Sequence, residues 1–267
     1  MRKPLNIPYL FVAFFVCSAV FPIAAVAEDV EADDYAILKE IIVLEFAKES
    51  PHEWGTAVSG VKTRMQTDEK VVALTLDASG RDELGANSEI LILLQKENIP
   101  VTLFVSGEWI DKNPVIAKTL AQNPQFEIAN LGLQAKSCSV TGKSPTGEQA
   151  TQSVEEVFTE IEKNARKIES LTGMLPRFFR SGVMFYDDVA VRIARALGYE
   201  VVGSTVSAEK SIERGIIDLM LTTSAGSILV IPLDGVQTNF AEGLRQAISK
   251  LRIKGFQFVK LGDYPLE

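Results

Sequence analysis

The stretch VVALTLDASG, residues 71–80, decides how this sequence is expected to fold. Its first six residues, VVALTL, form a continuous apolar run, which is typical of a strand buried on both faces in a parallel sheet. The run ends on a single carboxylate, Asp77. The 267-residue chain contains one histidine, His52. Asp77 is therefore a candidate functional residue, and His52 is the only histidine that could act together with it.

Similar runs follow along the chain and alternate with helical segments. Strands are predicted at 71–76, 101–106, 126–131, 176–182, 200–206, 227–233 and 256–261. Helices are predicted at 86–99, 113–124, 151–173, 187–199 and 240–255. Repeated β-α units of this length predict an α/β fold with parallel strands and helices outside, either a barrel or an open sheet.

The first 27 residues have the layout of a secretory signal peptide. Arg2 and Lys3 form a basic start, an apolar run extends from Tyr9 to about Ala25, and an A-x-A site precedes an acidic segment. We expect cleavage after Ala27 and a secreted or periplasmic protein; the alternative is an uncleaved membrane anchor. No later apolar run approaches the ~20 residues that a membrane span requires, so no stable span is expected after cleavage.

The composition is that of a globular protein with an acidic surface. Hydrophobic residues make up 46% and charged residues 23% of the chain, and the net charge is −8 before removal of the basic start. Such a protein is a poor candidate for binding nucleic acid or an anionic membrane. Cys138 is the only cysteine after residue 27, so no internal disulfide is expected.

Residues 28–70 form a separate N-terminal segment before the main domain, residues 71–267. An approximately helical stripe of apolar residues in this segment consists of Ile37, Ile41, Ile42, Leu44, Phe46 and Ala47. An irregular connector follows from residue 51. The helix could pack on the main domain or serve as an arm that binds a partner.

From about Val71 to Tyr264 the sequence resembles the polysaccharide deacetylases with a NodB homology domain, carbohydrate esterase family 4. VALTLDASG is similar to the first family motif, a strand ending in Thr-Phe-Asp-Asp-Gly, and PRFFRSG resembles the third. The second motif, N-H-G-x-x-H-x-P-C-S-V in one branch, is matched here at Asn130, Gly132, Cys138, Ser139 and Val140. The resemblance implies a distorted (β/α) barrel with its site at the carboxyl ends of the strands.

The resemblance also implies a chemistry, the metal-assisted removal of an acetyl group from an N-acetylated sugar. In the family, one Asp acts as base towards a metal-bound water, a second Asp and two His hold the metal, and another His is the acid. The metal lowers the pKa of water, and imidazole nitrogens are its natural ligands. Asp77 occupies the position of the base.

The other four positions of this implied site carry no suitable side chain. The metal ligands are replaced by Ala78, Leu131 and Ala135, and the acid falls on Pro232 or Leu233. None of these side chains can bind a cation or transfer a proton, and the loss of one oriented acid or base alone often costs about 10²–10⁴ in rate. His52 lies outside the barrel segment. We therefore expect no metal cofactor and no catalysis by the family mechanism.

Two interpretations of Asp77 remain. It could form a retained ion pair with Arg180, the residue whose family counterpart orients the base. Alternatively, it could act as the base of an active deacetylase with an altered site, in which Arg180 or Lys136 stabilises the oxyanion. Cys138 could be a nucleophile but has no histidine to form a thiolate, so a structural role is expected.

The sequence therefore predicts an exported, inactive deacetylase-like protein whose partner is a carbohydrate or a protein of the cell envelope. An assembly role through residues 28–70 is a further hypothesis. Polar residues near the motifs could line a sugar-binding cleft: Asn130, Gln134, Lys136, Tyr186 and Asp234.

Overall fold

The computed structural model describes residues 23–80, 87–145, 147–207, 222–234 and 240–267. The chain divides into two units, Met1–Leu38 and Lys39–Glu267. Helix α1 (Ile23–Phe46) begins in the first unit and ends in the second. Residues 1–22 of the predicted signal peptide lie outside the described residues. Its last five residues, 23–27, belong to α1, so this helix begins before the apolar stripe that was predicted from Ile37 onward.

The main unit alternates strands and helices as predicted. Its strands are β1 (Trp54–Gly55), β2 (Val71–Ala78), β3 (Val101–Val105), β4 (Phe126–Asn130), β5 (Phe178–Phe179), β6 (Tyr186–Asp187), β7 (Glu200–Val201), β8 (Val206–Ser207), β9 (Ser227–Pro232) and β10 (Gln257–Val259). Its helices are α2 (Asn87–Lys96), α3 (Gly107–Lys112), α4 (Pro114–Ala121), α5 (Val154–Thr172), α6 (Asp188–Ala196) and α7 (Phe240–Ile253). No described helix has the length and apolar character needed to cross a membrane.

Strand β2 is the centre of a parallel sheet with the order β7-β5-β4-β3-β2-β9-β8. One side of β2 pairs with β9; its other side pairs with β10 at the start and with β3 towards the end. The connector closes part of the gap between the ends of this sheet, because Lys62 bridges to Val202 and Arg64 bridges to Ser227. The predicted distorted (β/α) barrel is confirmed.

The two faces of β2 contact different apolar clusters. Leu74 and Leu76 belong to a cluster between the sheet and the helices, whereas Val71 and Ala73 belong to a cluster in the barrel interior. Side chains alternate between the faces of a strand with a period of two. Asp77 is therefore on the interior face with Ala73, which directs its carboxylate into the barrel.

Two predicted elements differ from the structure. The helix predicted at 113–124 is preceded by α3, whose start is capped by Ser106: its hydroxyl accepts a bond from the Trp109 N–H at 3.0 Å. The strand predicted at 200–206 is divided into β7 and β8, because the Gly203 backbone between them bonds to Lys62 of the connector. The first difference depends on a local capping bond and the second on a bond between distant parts of the chain, and apolar periodicity reports neither.

Candidate functional site

Asp77 and Arg180 form an ion pair at the carboxyl ends of β2 and β5. Nη1 of Arg180 lies 2.6 Å from Oδ1 of Asp77 and donates a second bond of 3.0 Å to Oγ1 of Thr75. The Arg180 side chain is 0% exposed and the Asp77 side chain 17%. The pair is thus almost fully removed from water.

The rest of the guanidinium of Arg180 is also occupied. Its Nε donates to the carbonyl of Val202 at 3.2 Å, and its Nη2 donates to that of Gly203 at 3.0 Å. Its central carbon lies 4.0 Å from the centroid of the Phe104 ring, a cation–π contact. These contacts show Arg180 as a structural link between β2, β3 and the segment after β7.

The environment of Asp77 acts on its pKa in opposite directions. Burial raises the pKa above its ordinary value and is the largest cause; the Arg180 guanidinium lowers it, and the charge of Asp234 raises it further. Burial therefore prevails over the ion pair. A raised pKa suits a base, but one oxygen of this carboxylate is held by Arg180.

Asp234, which follows β9, connects to the segment that follows β2. Its Oδ2 accepts bonds from both the N–H and the hydroxyl of Ser79 at 2.6 Å. Its Oδ1 is buried and has no hydrogen-bond partner among the described residues. Asp77, Ser79 and Asp234 thus form a small polar group at the mouth of the barrel.

The positions where the resemblance places the metal ligands are apolar and buried; of the two positions for the acid, Leu233 is buried and Pro232 is half-buried. Ala78 belongs to the cluster beneath the helices, whereas Leu131 and Ala135 belong to the cluster inside the barrel, and Leu233 is fully buried. Within the described parts of the chain, no group of three or more His, Cys, Asp or Glu could hold a metal ion. The residues present do not fit the metal that the family uses.

The loop that carries Leu131 and Ala135 is held from α5 by the buried Glu160. Its Oε1 accepts bonds from the N–H groups of Gln134 at 2.9 Å and Lys136 at 3.1 Å. Gly132 has a φ of +86°, and a Cβ at this position would overlap the Glu160 carboxylate. Burial raises the pKa of Glu160 more than these bonds lower it.

This raised pKa predicts a pH-dependent effect of Glu160→Gln. Because the folded state binds the proton more tightly than the unfolded state, the resulting stabilisation is complete below the ordinary pKa of 4.5 and is lost as pH rises through the folded-state pKa. The variant keeps an oxygen acceptor but carries no charge. It should be more stable than the wild type at pH 7, and this gain should disappear at about pH 4.

Urea unfolding at a series of pH values measures this effect. Glu155→Gln, at an exposed position in the first turn of the same helix, is the control and should show no gain at pH 7, because a carboxylate near the amino end stabilises a helix. A wild type that is more stable than Glu160→Gln at pH 7 contradicts the prediction.

Two of the residues predicted to bind substrate are enclosed by the protein. Asn130 is fully buried: its Nδ2 donates to the Ile161 carbonyl and its Oδ1 accepts from Gly132 N–H and Asn164. The fully buried Tyr186 accepts from the Ser181 N–H through its hydroxyl. In this structure both side chains hold backbone segments in place.

Gln134 and Lys136 lie on the outside of the loop. Together with Thr159 and Glu160 they line a cavity of about 220 Å³ against α5. Gln134 is exposed, and its Nε2 donates to Glu108 at 3.2 Å. The predicted cleft residues are therefore divided: Gln134 lines this cavity, Asp234 is at the barrel mouth, and Asn130 and Tyr186 are internal.

Among the residues that the structure describes, Cys138 and His52 have no catalytic partner. Burial raises the pKa of the Cys138 thiol well above its ordinary value, and the charges of Glu160 and Asp187 raise it further. A thiolate is thus disfavoured. His52 lies in the connector, where its backbone N–H donates to Asp188 at 2.7 Å.

Glu160 and Asn164 of α5 are functional residues that the sequence motifs did not predict. Asn164 donates from its Nδ2 to the carbonyl of Val105 and to Asn130 at the ends of β3 and β4. The two residues are four apart in α5, next to the apolar stripe of Val157 and Ile161. Buried polar groups are normally hydrogen-bonded. The position of Glu160 and Asn164 beside an apolar helical stripe was therefore the available sequence signal that they hold other segments by hydrogen bonds.

The sequence matches a known family across the central part of this fold. The family model for polysaccharide deacetylase matches residues 64–202, which include β2 to β7 and both residues of the buried ion pair. The chain belongs to the polysaccharide deacetylase family. A search of curated proteins found no match.

Solved structures of carbohydrate esterase family 4 (CE4) share the fold. BA3943, described as a CE4 family pseudoenzyme from Bacillus anthracis, is 20% identical, with a TM-score of 0.64 over 79% of this chain and 69% of that one. A mutant of BA3943 with restored enzymatic activity is 21% identical, with a TM-score of 0.64 over 79% and 71% of the chains.

An esterase of the same family is equally similar. A family 4 carbohydrate esterase from Bacillus anthracis is 22% identical, with a TM-score of 0.62 over 80% of this chain and 96% of that one. At these identities the likeness establishes the shared fold, which pseudoenzymes and esterases have in common.

Proposed function

We propose that this protein is an exported, catalytically inactive member of the polysaccharide deacetylase family that binds a glycan in the cell envelope. The observation that carries the proposal is the replacement of the metal-binding side chains by Ala78, Leu131 and Ala135, all buried in apolar clusters. Without a bound metal there is no activated water to attack an acetyl group. The secreted or periplasmic location follows from the N-terminal sequence pattern.

Two further observations support this proposal, one for the inactivity and one for the glycan site. The solved relatives include a protein described as a CE4 family pseudoenzyme, and this description supports the inactive assignment. The polar cavity beside Gln134 and Lys136 offers amide, ammonium and carboxylate groups, which suit the hydroxyl and acetamido groups of a sugar.

Metal and activity measurements test the inactive assignment. The purified protein is incubated with zinc, cobalt or nickel, and bound metal is measured together with acetate release from chitooligosaccharides. We expect less than stoichiometric metal and no acetate. Stoichiometric metal with turnover contradicts the proposal.

The same assay decides the alternative, an active deacetylase that uses Asp77 as base. Acetate release without metal, abolished by Asp77→Asn, supports this alternative and contradicts inactivity. Acetate release that persists unchanged in Asp77→Asn excludes Asp77 as the base.

Calorimetric titration with chitooligosaccharides tests glycan binding. The Gln134→Ala/Lys136→Ala variant should bind at least about tenfold more weakly, because two hydrogen-bonding groups of the cavity are lost. Lys163→Ala, at an exposed position of α5, is the matched control and should bind like the wild type. Equal binding by all three proteins excludes this cavity as the glycan site.

A further inference from the structure

Helix α1 presents an apolar face to the main domain near its carboxyl end. Ile42 and Phe46 are buried. The Arg192 guanidinium of α6 lies over the Phe46 ring, 5.8 Å from its centroid, and bonds to Glu49 just beyond the helix at 2.8 Å. This end of α1 is therefore fixed on the domain through one of its faces.

A second apolar stripe on α1 is exposed. Ile41 and Leu44 are 53% and 71% exposed. Each residue turns a helix by about 100°, so both side chains point away from the buried side of Ile42 and Phe46. Their spacing of three residues is that of a and d positions in a coiled-coil heptad. The docked helix thus presents a heptad seam to solvent.

Acidic residues flank this seam on both sides. Glu40 and Glu45 are exposed and occupy the g and e positions of the same heptad register. In a parallel pair of identical helices, Glu40 of one copy would face Glu45 of the other; in an antiparallel pair, each glutamate would face its own counterpart. Both arrangements place like charges together, which disfavours self-pairing.

We propose that this seam, formed by Ile41 and Leu44 and flanked by Glu40 and Glu45, docks an amphipathic helix of a partner protein. The partner helix has apolar a and d residues and lysine or arginine at e and g. Burying the two apolar side chains provides the affinity, and the flanking ion pairs select the partner. This surface is separate from the polar cavity of the proposed function, so either proposal can fail alone.

Two designed peptides test the proposal against the full protein. Both are three-heptad helices with isoleucine at a and leucine at d; one has lysine and the other glutamate at every e and g position. Fluorescence anisotropy should show binding of the lysine peptide at least about tenfold tighter than that of the glutamate peptide, and high salt should reduce this difference. Equal binding of the two peptides, or binding of neither, overturns the proposal.

Variants on the exposed face assign the binding to the seam. The double variant Ile41→Ser/Leu44→Ser should weaken lysine-peptide binding at least about tenfold, whereas Ile253→Ser, at another exposed apolar position, should have no effect. Glu40→Lys/Glu45→Lys should reverse the preference towards the glutamate peptide. Unchanged binding in these seam variants overturns the proposal.

Two other occupants are outcomes of the same experiment. Light scattering after size exclusion should show a monomer at micromolar concentration; a dimer abolished by Ile41→Ser/Leu44→Ser assigns the seam to a second copy instead. Vesicles containing phosphatidylglycerol should not bind the protein. Vesicle binding that requires Ile41 and Leu44 assigns the seam to a membrane surface and overturns the proposal.

Discussion

Arg180→Met should lower the free energy of unfolding by about 3–5 kcal/mol, because it leaves the Asp77 carboxylate buried without its partner. The variant also removes the hydrogen bonds that the guanidinium donates to the Thr75 hydroxyl and to the carbonyls of Val202 and Gly203. Urea unfolding at pH 7, followed by circular dichroism, measures the loss. The destabilisation should diminish at low pH, where Asp77 becomes neutral.

A matched control distinguishes the loss of a buried ion pair from the loss of an exposed one. Arg177 lies three residues earlier and pairs with Glu200 at 2.7 Å, but the two side chains are 50% and 33% exposed. Arg177→Met should therefore cost at most about 1 kcal/mol. The double variant Arg180→Met/Asp77→Asn should lose less free energy of unfolding than the two single variants added together, because it leaves neither a buried arginine nor a buried carboxylate without its partner. Additive costs contradict a coupled buried pair.

Gly182→Ala should destabilise the protein by about 3 kcal/mol or more through overpacking. A Cβ at Gly182 would overlap the backbone carbonyl of Ala135, and backbone cannot move aside as a side-chain end can. The Gly182 N–H also donates to Lys136 at 3.0 Å. The short motif PRFFRSG therefore requires its glycine because the chain passes directly against the loop that follows β4.

Urea unfolding of Gly182→Ala, together with the yield of soluble protein, tests this requirement. Gly243→Ala, within α7, is the control and should cost much less than Gly182→Ala, because alanine favours a helix over glycine. A Gly182→Ala variant with wild-type stability excludes the close approach of the two segments.

Much of the fold can be predicted from local sequence patterns. VVALTL predicted a strand buried on both faces, and Val71–Ala78 pairs on both sides at the centre of the sheet. Helix α5 was predicted from its apolar stripe and from Gly173, which caps it with a φ of +81°. These predictions succeed because period, caps and breakers act within a few residues of the chain.

The candidate site could be predicted less well from local sequence patterns. Burial of Asn130 and Tyr186 follows from contacts with α5 and with the segments after β5 and β7, which their neighbours in sequence do not reveal. The two faces of α1 could not be distinguished from the sequence either. The pattern predicted a single apolar stripe, but in the structure Ile42 and Phe46 are buried whereas Ile41 and Leu44 are exposed. Periodicity identifies apolar residues without specifying what covers them.

The alternation of strands and helices and the hydrocarbon side chains at the implied metal positions could be predicted from the sequence, since both are properties of residue type and spacing. The resemblance offered the pairing of Asp77 with Arg180 as one of two interpretations. The full burial of Arg180 and the bonds by which Glu160 holds the loop after β4 are visible only in the folded protein. Such contacts depend on which chain segments the packed sheet brings together. No local pattern contains that information, because the segments become neighbours only when the chain folds.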